Sequence, residues 1–511
     1  MKLKNISKVS FVFLLVFTLG GCADFLDVNK SPNSPEDVPL NTLLPSALIA
    51  MGFANANELN RFYSTVSDYL YGATGSPASY DTYVLTGGDF GNQWTGEIWN
   101  GALIQCKKII EKGTETGAMN YVGVAKITQA YVWALTTDTW GDIPYSQALQ
   151  GQDGITRPEL DSQEDIYKGN ASKGVTGLFD LIREGLAALD QGTTLTMGAD
   201  DVIYGGNLAN WKKAGNTLML RLAMTISKKD PAFATSIINE VIAKNDFISA
   251  NNQNFSVKFG TAIGSQSPIY SYMFVTTFQN ELIVSTRFLN LLQNGTPAAT
   301  DDDPRLPLYL KKGSTATNYV TFENGFRGTL PATTTFTKWG DAVVGANGAG
   351  PVRLITNASR AFMLAEAVTT LGVTVPGKTS QQLFVEGIKA SMTEVGVATA
   401  DINNYLGDYT PDGGAYVPPT AIATLTGSTA DQQDQIITQK YIAMPGNGLD
   451  AWNDIRRTGF PSHTAVEHAN AAGEDGRRPL RARYPDSDIA RNPNLGAAVK
   501  KTNEPVWWDA N

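Results

Sequence analysis

The chain has 511 residues, with 40 Lys and Arg against 49 Asp and Glu, two cysteines and two histidines. This length can bury a large core without staples, and two cysteines exclude a disulfide framework. A formal charge of −9 argues against nucleic acid as a partner, since phosphate binding rests on an excess of Lys and Arg. His463 and His468 alone leave little room for a histidine-based metal site or triad.

Residues 1–21 read as a secretory signal peptide. Lys2, Lys4 and Lys8 form its basic start, and the apolar run from Val9 to Leu19 is too short to span a bilayer, which takes roughly 20 residues. Leu19-Gly20-Gly21-Cys22 has the form of a lipobox, in which the Cys22 thiol is acylated and cleavage makes it the first residue. Several acyl chains on one cysteine hold a protein at a membrane, where one chain binds only marginally. Cys106 is then the only free thiol, and no internal disulfide forms.

Residues 22–41, rich in Pro, Asn, Asp and Ser, read as a lipidated tether, and residues 42–511 as a single domain. From Leu43 the apolar residues recur at helical spacing, with Pro45 near the first turn. Further helices are expected over 94–112, 119–137, 176–189, 207–228 and 232–244, the last restarting after Asp230-Pro231. Residues 279–293, 357–371, 380–395, 431–444 and 448–457 complete the helical set. Between them lie long excursions at about 61–93, 245–278, 294–356 and 397–430, rich in Gly, Thr, Ser, Asn and Tyr. Loops of such length are functional or contain structure of their own.

Signatures of chemistry are sparse. There is no HExxH, CxxC pair, Walker loop or GxSxG. The two histidines lie in a polar segment and read as surface or supporting residues. Asp301, Asp302 and Asp303 could hold calcium, which takes several carboxylate oxygens, but the run lacks the spaced acids of a calcium loop and reads rather as a solvated turn with an acidic cap. The aromatics say more. Of 19 Tyr and 9 Trp, many lie in the excursions, where a flat ring can cover the apolar face of a sugar while neighbouring polar groups bond its hydroxyls. Tyr71, Tyr80, Tyr83, Trp94, Tyr270, Tyr272, Phe274 and Trp339 are therefore the candidate ligand contacts. The opposing reading is that such rings pin loops onto the helical body. Residues 456–501 are locally basic, which suits pairing with the acidic remainder.

Several phrases in order resemble the SusD/RagB family of nutrient-binding outer-membrane lipoproteins of the Bacteroidetes, in its SusD-like branch. They include Leu26-Asp27-Val28-Asn29 with Ser31-Pro32-Asn33, then Leu43-Leu44-Pro45-Ser46-Ala47, then Asp138 to Ala148. Later come residues 216–231, 302–309 and 362–368, residues 439–461 (QKYIAMPGNGLDAWNDIRRTGFP), 477–485, and Val506-Trp507-Trp508-Asp509. The resemblance implies a mostly α fold, with tetratricopeptide-like helix pairs forming a right-handed superhelical scaffold against a large loop-rich region with few short strands. It also implies a non-catalytic protein, lipid-anchored in the outer membrane and facing the exterior. Such a protein captures oligosaccharides, or peptides in some members, and passes them to a SusC-like TonB-dependent transporter. No cofactor is implied. The phrases themselves read as structural: Asp142 can accept backbone N–H bonds, and Arg456 and Arg457 can pair with acids on the last helix. A lipid-anchored glycoside hydrolase and a purely structural interaction protein are the competing readings.

Overall fold

A computed structural model describes residues 38–293, 302–406 and 423–511. The signal peptide, Cys22 and Asp301 lie outside the described residues. The described chain is mostly helical, with six short strands in three two-stranded pairs.

Helices pack in consecutive pairs. Ile104–Thr116 lies against Met119–Trp140, which packs on Leu178–Leu189, and Leu208–Ile226 packs on Pro231–Lys244. Asn357–Leu371 packs on Ser380–Glu394 and on Thr429–Ile442, while Gly448–Thr458 closes against Glu58–Val66. Starts are set locally. Asp230 caps its helix through Oδ1, which accepts from Phe233 N at 3.1 Å, and Pro231 occupies the first turn, where no N–H is needed. Thr356 and Thr379 form reciprocal capping boxes. One close helix–helix approach is between Gly123 and Gly185. A Cβ on Gly123 would lie 2.7 Å from the Gly185 carbonyl oxygen, so only glycine lets these two helices touch.

The family-like phrases prove to be internal ties. Buried Asp138 accepts from Tyr167 OH at 2.6 Å, Trp508 Nε1 at 2.9 Å and Asn453 Nδ2 at 2.9 Å, joining the middle of the chain to its end. Asp142 Oδ1 accepts from Gln163 N at 2.8 Å. Arg457 bonds both Glu366 oxygens, at 2.6 and 2.7 Å, and Asp454. Arg456 is layered 3.4 Å from the Trp452 ring and 4.6 Å from Trp508. Burial pushes its pKa down to about 10, against the pull of Asp138.

Four expectations change. Residues 279–293 are not one helix: Leu282–Val284 pairs antiparallel with Leu70–Gly72, and the helix Thr286–Leu292 starts only at the Ser285 cap. Three consecutive buried apolar residues suit a strand covered on both faces. Residues 61–93 carry much of Glu58–Val66 and all of Gly75–Asp81, because burial of almost every Glu58–Val66 side chain outweighs local sequence. Residues 94–112 divide into a π-helix, Gln93–Leu103, and an α-helix, Ile104–Thr116. Of the two histidines, read as surface or supporting groups, His468 is not at the surface. His468 is buried, with Nε2 at 2.5 Å from Asp68 and Nδ1 at 2.9 Å from the Asp81 carbonyl.

Candidate ligand-binding site

The strand pairs tie segments of the long excursions to one another. Ser267-Pro268 starts a short helical turn, Pro268–Tyr270, that widens into the π-turn Ser271–Val275. Its inner residues, Ile269, Tyr272 and Met273, are buried. Its outer residues, Tyr270 and Phe274, are four apart and stack with centroids 5.2 Å apart at 27°. The chain then exposes Val275, at 46%, and Phe278, at 44%, with the Arg61 guanidinium 4.8 Å from the Phe278 ring centre. Arg61 is held by Glu58 and Glu281.

A second element closes the site. Leu310–Lys311 pairs antiparallel with Lys338–Trp339, so that Leu310 opposes Trp339 and Lys311 opposes Lys338. The Lys338 ammonium donates to the carbonyls of Met273 at 2.9 Å and Gln279 at 2.6 Å, and lies 5.3 Å from the Phe274 ring centre. Burial lowers its pKa. This lysine fastens the aromatic turn to the strand pair. Gly313 follows, and a Cβ there would lie 2.3 Å from the Thr334 carbonyl oxygen, so the turn needs glycine.

Between these elements is an open cavity of about 400 Å³. Phe274 and Phe336 supply its apolar walls. Gln279, Asn280, Ser314, Thr333 and Thr334 supply amides and hydroxyls, and Lys311, Lys312 and Lys338 supply positive charge. Among the described residues no carboxylate lines it. An apolar wall with a few oriented polar groups is the anatomy of a small-molecule or oligomer site.

Of the eight aromatic candidates, the structure brings Tyr270 and Phe274 together here. Tyr71 lies behind the wall, clustered with Ile283 and Phe336, and its OH donates to the Phe326 carbonyl at 3.0 Å. Trp339 is fully buried, edge-on to Tyr69 and Phe288. Tyr272 is buried and bonded by Asn60 at 3.0 Å. Tyr80 is wedged between Phe62 and Phe90, with its OH on Glu58. Tyr83 lies on the His468 ring, 4.5 Å between centroids. These five rings are therefore core in this structure, because tertiary neighbours claim their faces. Trp94 lines a separate concavity of about 300 Å³ between the π-helix and Asp486–Arg491. Its own ring is only 3% exposed and meets Trp99, Trp140 and Tyr484 edge-on. The aromatic reading noted Phe278 among the loop rings without counting it a contact, and did not name Gln279, Asn280 or the three lysines. The Lys311-Lys312 doublet was the one visible signal for them.

Of the acidic run, Asp303 is buried with both oxygens on Arg305, at 2.9 and 2.7 Å. Asp302 Oδ1 is buried without a partner. Among the described residues no group of three or more His, Cys, Asp or Glu is placed to hold a metal ion. Nor is any described helix long and apolar enough to cross a membrane.

A helical scaffold that carries a loop-built, aromatic-walled cavity with oriented polar groups has the anatomy of a ligand-binding protein. The chain belongs to the SusD-like branch of the SusD/RagB family: residues 32–485 match its model, described as starch-binding and associating with the outer membrane. Solved structures share the fold. A chitin-binding SusD homologue from Flavobacterium johnsoniae is 23% identical, with 92% of this chain and 99% of that chain covered and a TM-score of 0.73. A SusD-like protein from Bacteroides thetaiotaomicron is 20% identical, with 93% and 99% covered and a TM-score of 0.74. No curated protein matches by sequence.

Proposed function

We propose that this protein is a lipid-anchored, outward-facing receptor that captures an oligosaccharide in the Phe274 cavity and delivers it unaltered to a SusC-like TonB-dependent transporter. The carrying observation is the cavity itself, about 400 Å³ with an aromatic wall, two side-chain amides and three hydroxyls. A ring face can cover Phe274, while Gln279, Asn280 and Thr334 exchange hydrogen bonds with its hydroxyls. Membership of a family described as starch-binding supports a glycan, as do relatives described as chitin-binding. The absence of carboxylates from the lining supports capture without hydrolysis, since a glycosidase needs a pair of them about 5–10 Å apart. Acylation at Cys22 provides the anchor.

The test is a soluble chain beginning at Ala23, run in native gels cast with a panel of polysaccharides and titrated with a peptide mixture in parallel. Retardation by a glycan, with no reducing ends released, is the expected result. Heat from peptides with no retardation would replace the glycan by a peptide. Release of reducing ends would make the protein a hydrolase. Copurification of the native protein with a large outer-membrane barrel is expected for the delivery step.

A further inference from the structure

Side chains alternate across the Leu310–Lys311 and Lys338–Trp339 pair. Leu310 and Trp339 are buried behind it, whereas Lys311 and Lys338 oppose each other at the cavity. Like charges directly opposite on antiparallel strands are destabilising. Lys312 follows at once and lines the same cavity, so three cations share one wall. None forms an ion pair among the described residues, although acids outnumber bases in the chain and lysines elsewhere do pair, as in Lys126–Glu184, Lys168–Asp230 and Lys213–Asp246.

The three lysines differ in what they have left to give. Lys338 is engaged by two carbonyls and fixes the wall. Lys312 donates to the Thr317 carbonyl at 2.8 Å and lies 5.1 Å from the Tyr319 ring centre, which leaves two of its three N–H groups. Burial, with Asp302 adding to it, raises the Tyr319 phenol's pKa. The Lys311 side chain is exposed and has no hydrogen-bond partner among the described residues. An anion held by Lys311 and Lys312 would offset the repulsion between Lys311 and Lys338 that the strand register imposes.

We infer that the cavity takes an anionic glycan, an oligosaccharide carrying carboxylate or sulfate groups; this rests on the glycan reading above. Phe274 covers a ring face, Lys311 and Lys312 bond the anion, and Lys338 holds the aromatic turn in place. An ammonium group is a compact point charge with three rotatable donors, so it suits either anion without the planar fit that a guanidinium imposes.

The test titrates the mature chain, purified in detergent, with three oligosaccharides of matched length: an oligogalacturonate, a sulfated carrageenan fragment and a neutral galactan fragment. Each is measured at about 0.05 and 0.5 M salt, across which the screening length falls severalfold. At low salt at least one charged chain should bind about tenfold tighter than the neutral one, the yield of two exposed ion pairs. The preference should shrink at high salt. The charged chain preferred names the anion. The double variant Lys311→Gln and Lys312→Gln should lose the preference for the charged chain and melt no lower than the parent. Equal or tighter binding of the neutral chain overturns this inference and leaves the glycan reading standing. A charge preference that survives the double variant overturns it as well. Binding of peptides but of no glycan overturns both.

Discussion

Phe274 and Trp339 both sit in polar, loop-like sequence, yet one faces the cavity and the other is sealed in the core. Substitution should separate them. Phe274→Ala should weaken oligosaccharide binding about tenfold, as loss of one ring contact implies, with little change in melting temperature. Trp339→Ala should instead cost about 3–5 kcal/mol of stability, as emptying a buried aromatic position does; thermal unfolding and titration of both variants check this. Protons act at the same scale. The His463 ring packs edge-on to Tyr441 at 5.2 Å, its Nε2 is buried without a partner, and burial lowers its pKa to about 4. The folded state therefore binds this proton less readily than the unfolded state, and the stability due to neutral His463 is lost as pH falls from about 6.5 towards 4. Part of the ring is open to solvent, so the discounted loss is about 1–2 kcal/mol. Unfolding in denaturant at pH 7 and pH 4.5 should show it, and His463→Gln should reduce the difference. Asp68 behaves oppositely. Burial alone would raise its pKa, but His468, Arg478 and Arg287 outweigh burial and hold it below the usual range.

Elements were legible wherever the chain carries its own signals. The Asp230-Pro231 restart is an N-cap followed by a first-turn proline, and both are visible in sequence. The π-helix Gln93–Leu103 was not, because its apolar spacing fits an α-helix equally well; the departure lies in backbone bonding. The strand at 282–284 was missed because a short apolar run cannot be told from helix by period alone. The two-residue strands at 310–311 and 338–339 are too short to show alternation, so the opposition of Lys311 and Lys338 appears only in three dimensions. Helix pairing gives its own prediction. Gly123→Ala should lower stability by about 1–3 kcal/mol, because the new methyl meets the Gly185 carbonyl and must push the two helices apart. Ala125→Gly, two residues on and so on the opposite face of the same helix, gives a propensity control of about 1 kcal/mol plus the loss of a buried methyl.

At the scale of the whole molecule, buried polar ties link distant parts of the chain. Arg457 joins the last long helix to Glu366 and is enclosed with it. Glu366→Ala would leave that guanidinium with Asp454 alone and should cost about 3–5 kcal/mol, measurable in denaturant unfolding. Such ties explain why the family phrases were readable across the chain while the binding residues were not. A buried ion pair constrains both partners' identities, whereas a loop-face cavity requires only a wall, some donors and a charge. Burial by tertiary neighbours sent Tyr71, Tyr80, Tyr83, Tyr272 and Trp339 inward, and no local pattern in their polar surroundings distinguishes them from Phe274. The central claim is that the Phe274 cavity captures a glycan. Its most direct test is calorimetric titration of the chain and of its Phe274→Ala, Phe278→Ala double variant with the glycan that retards it in native gels. Micromolar binding by the parent, lost in a variant of unchanged melting temperature, is the predicted result. Equal binding by both proteins would contradict it and move the site elsewhere on the molecule.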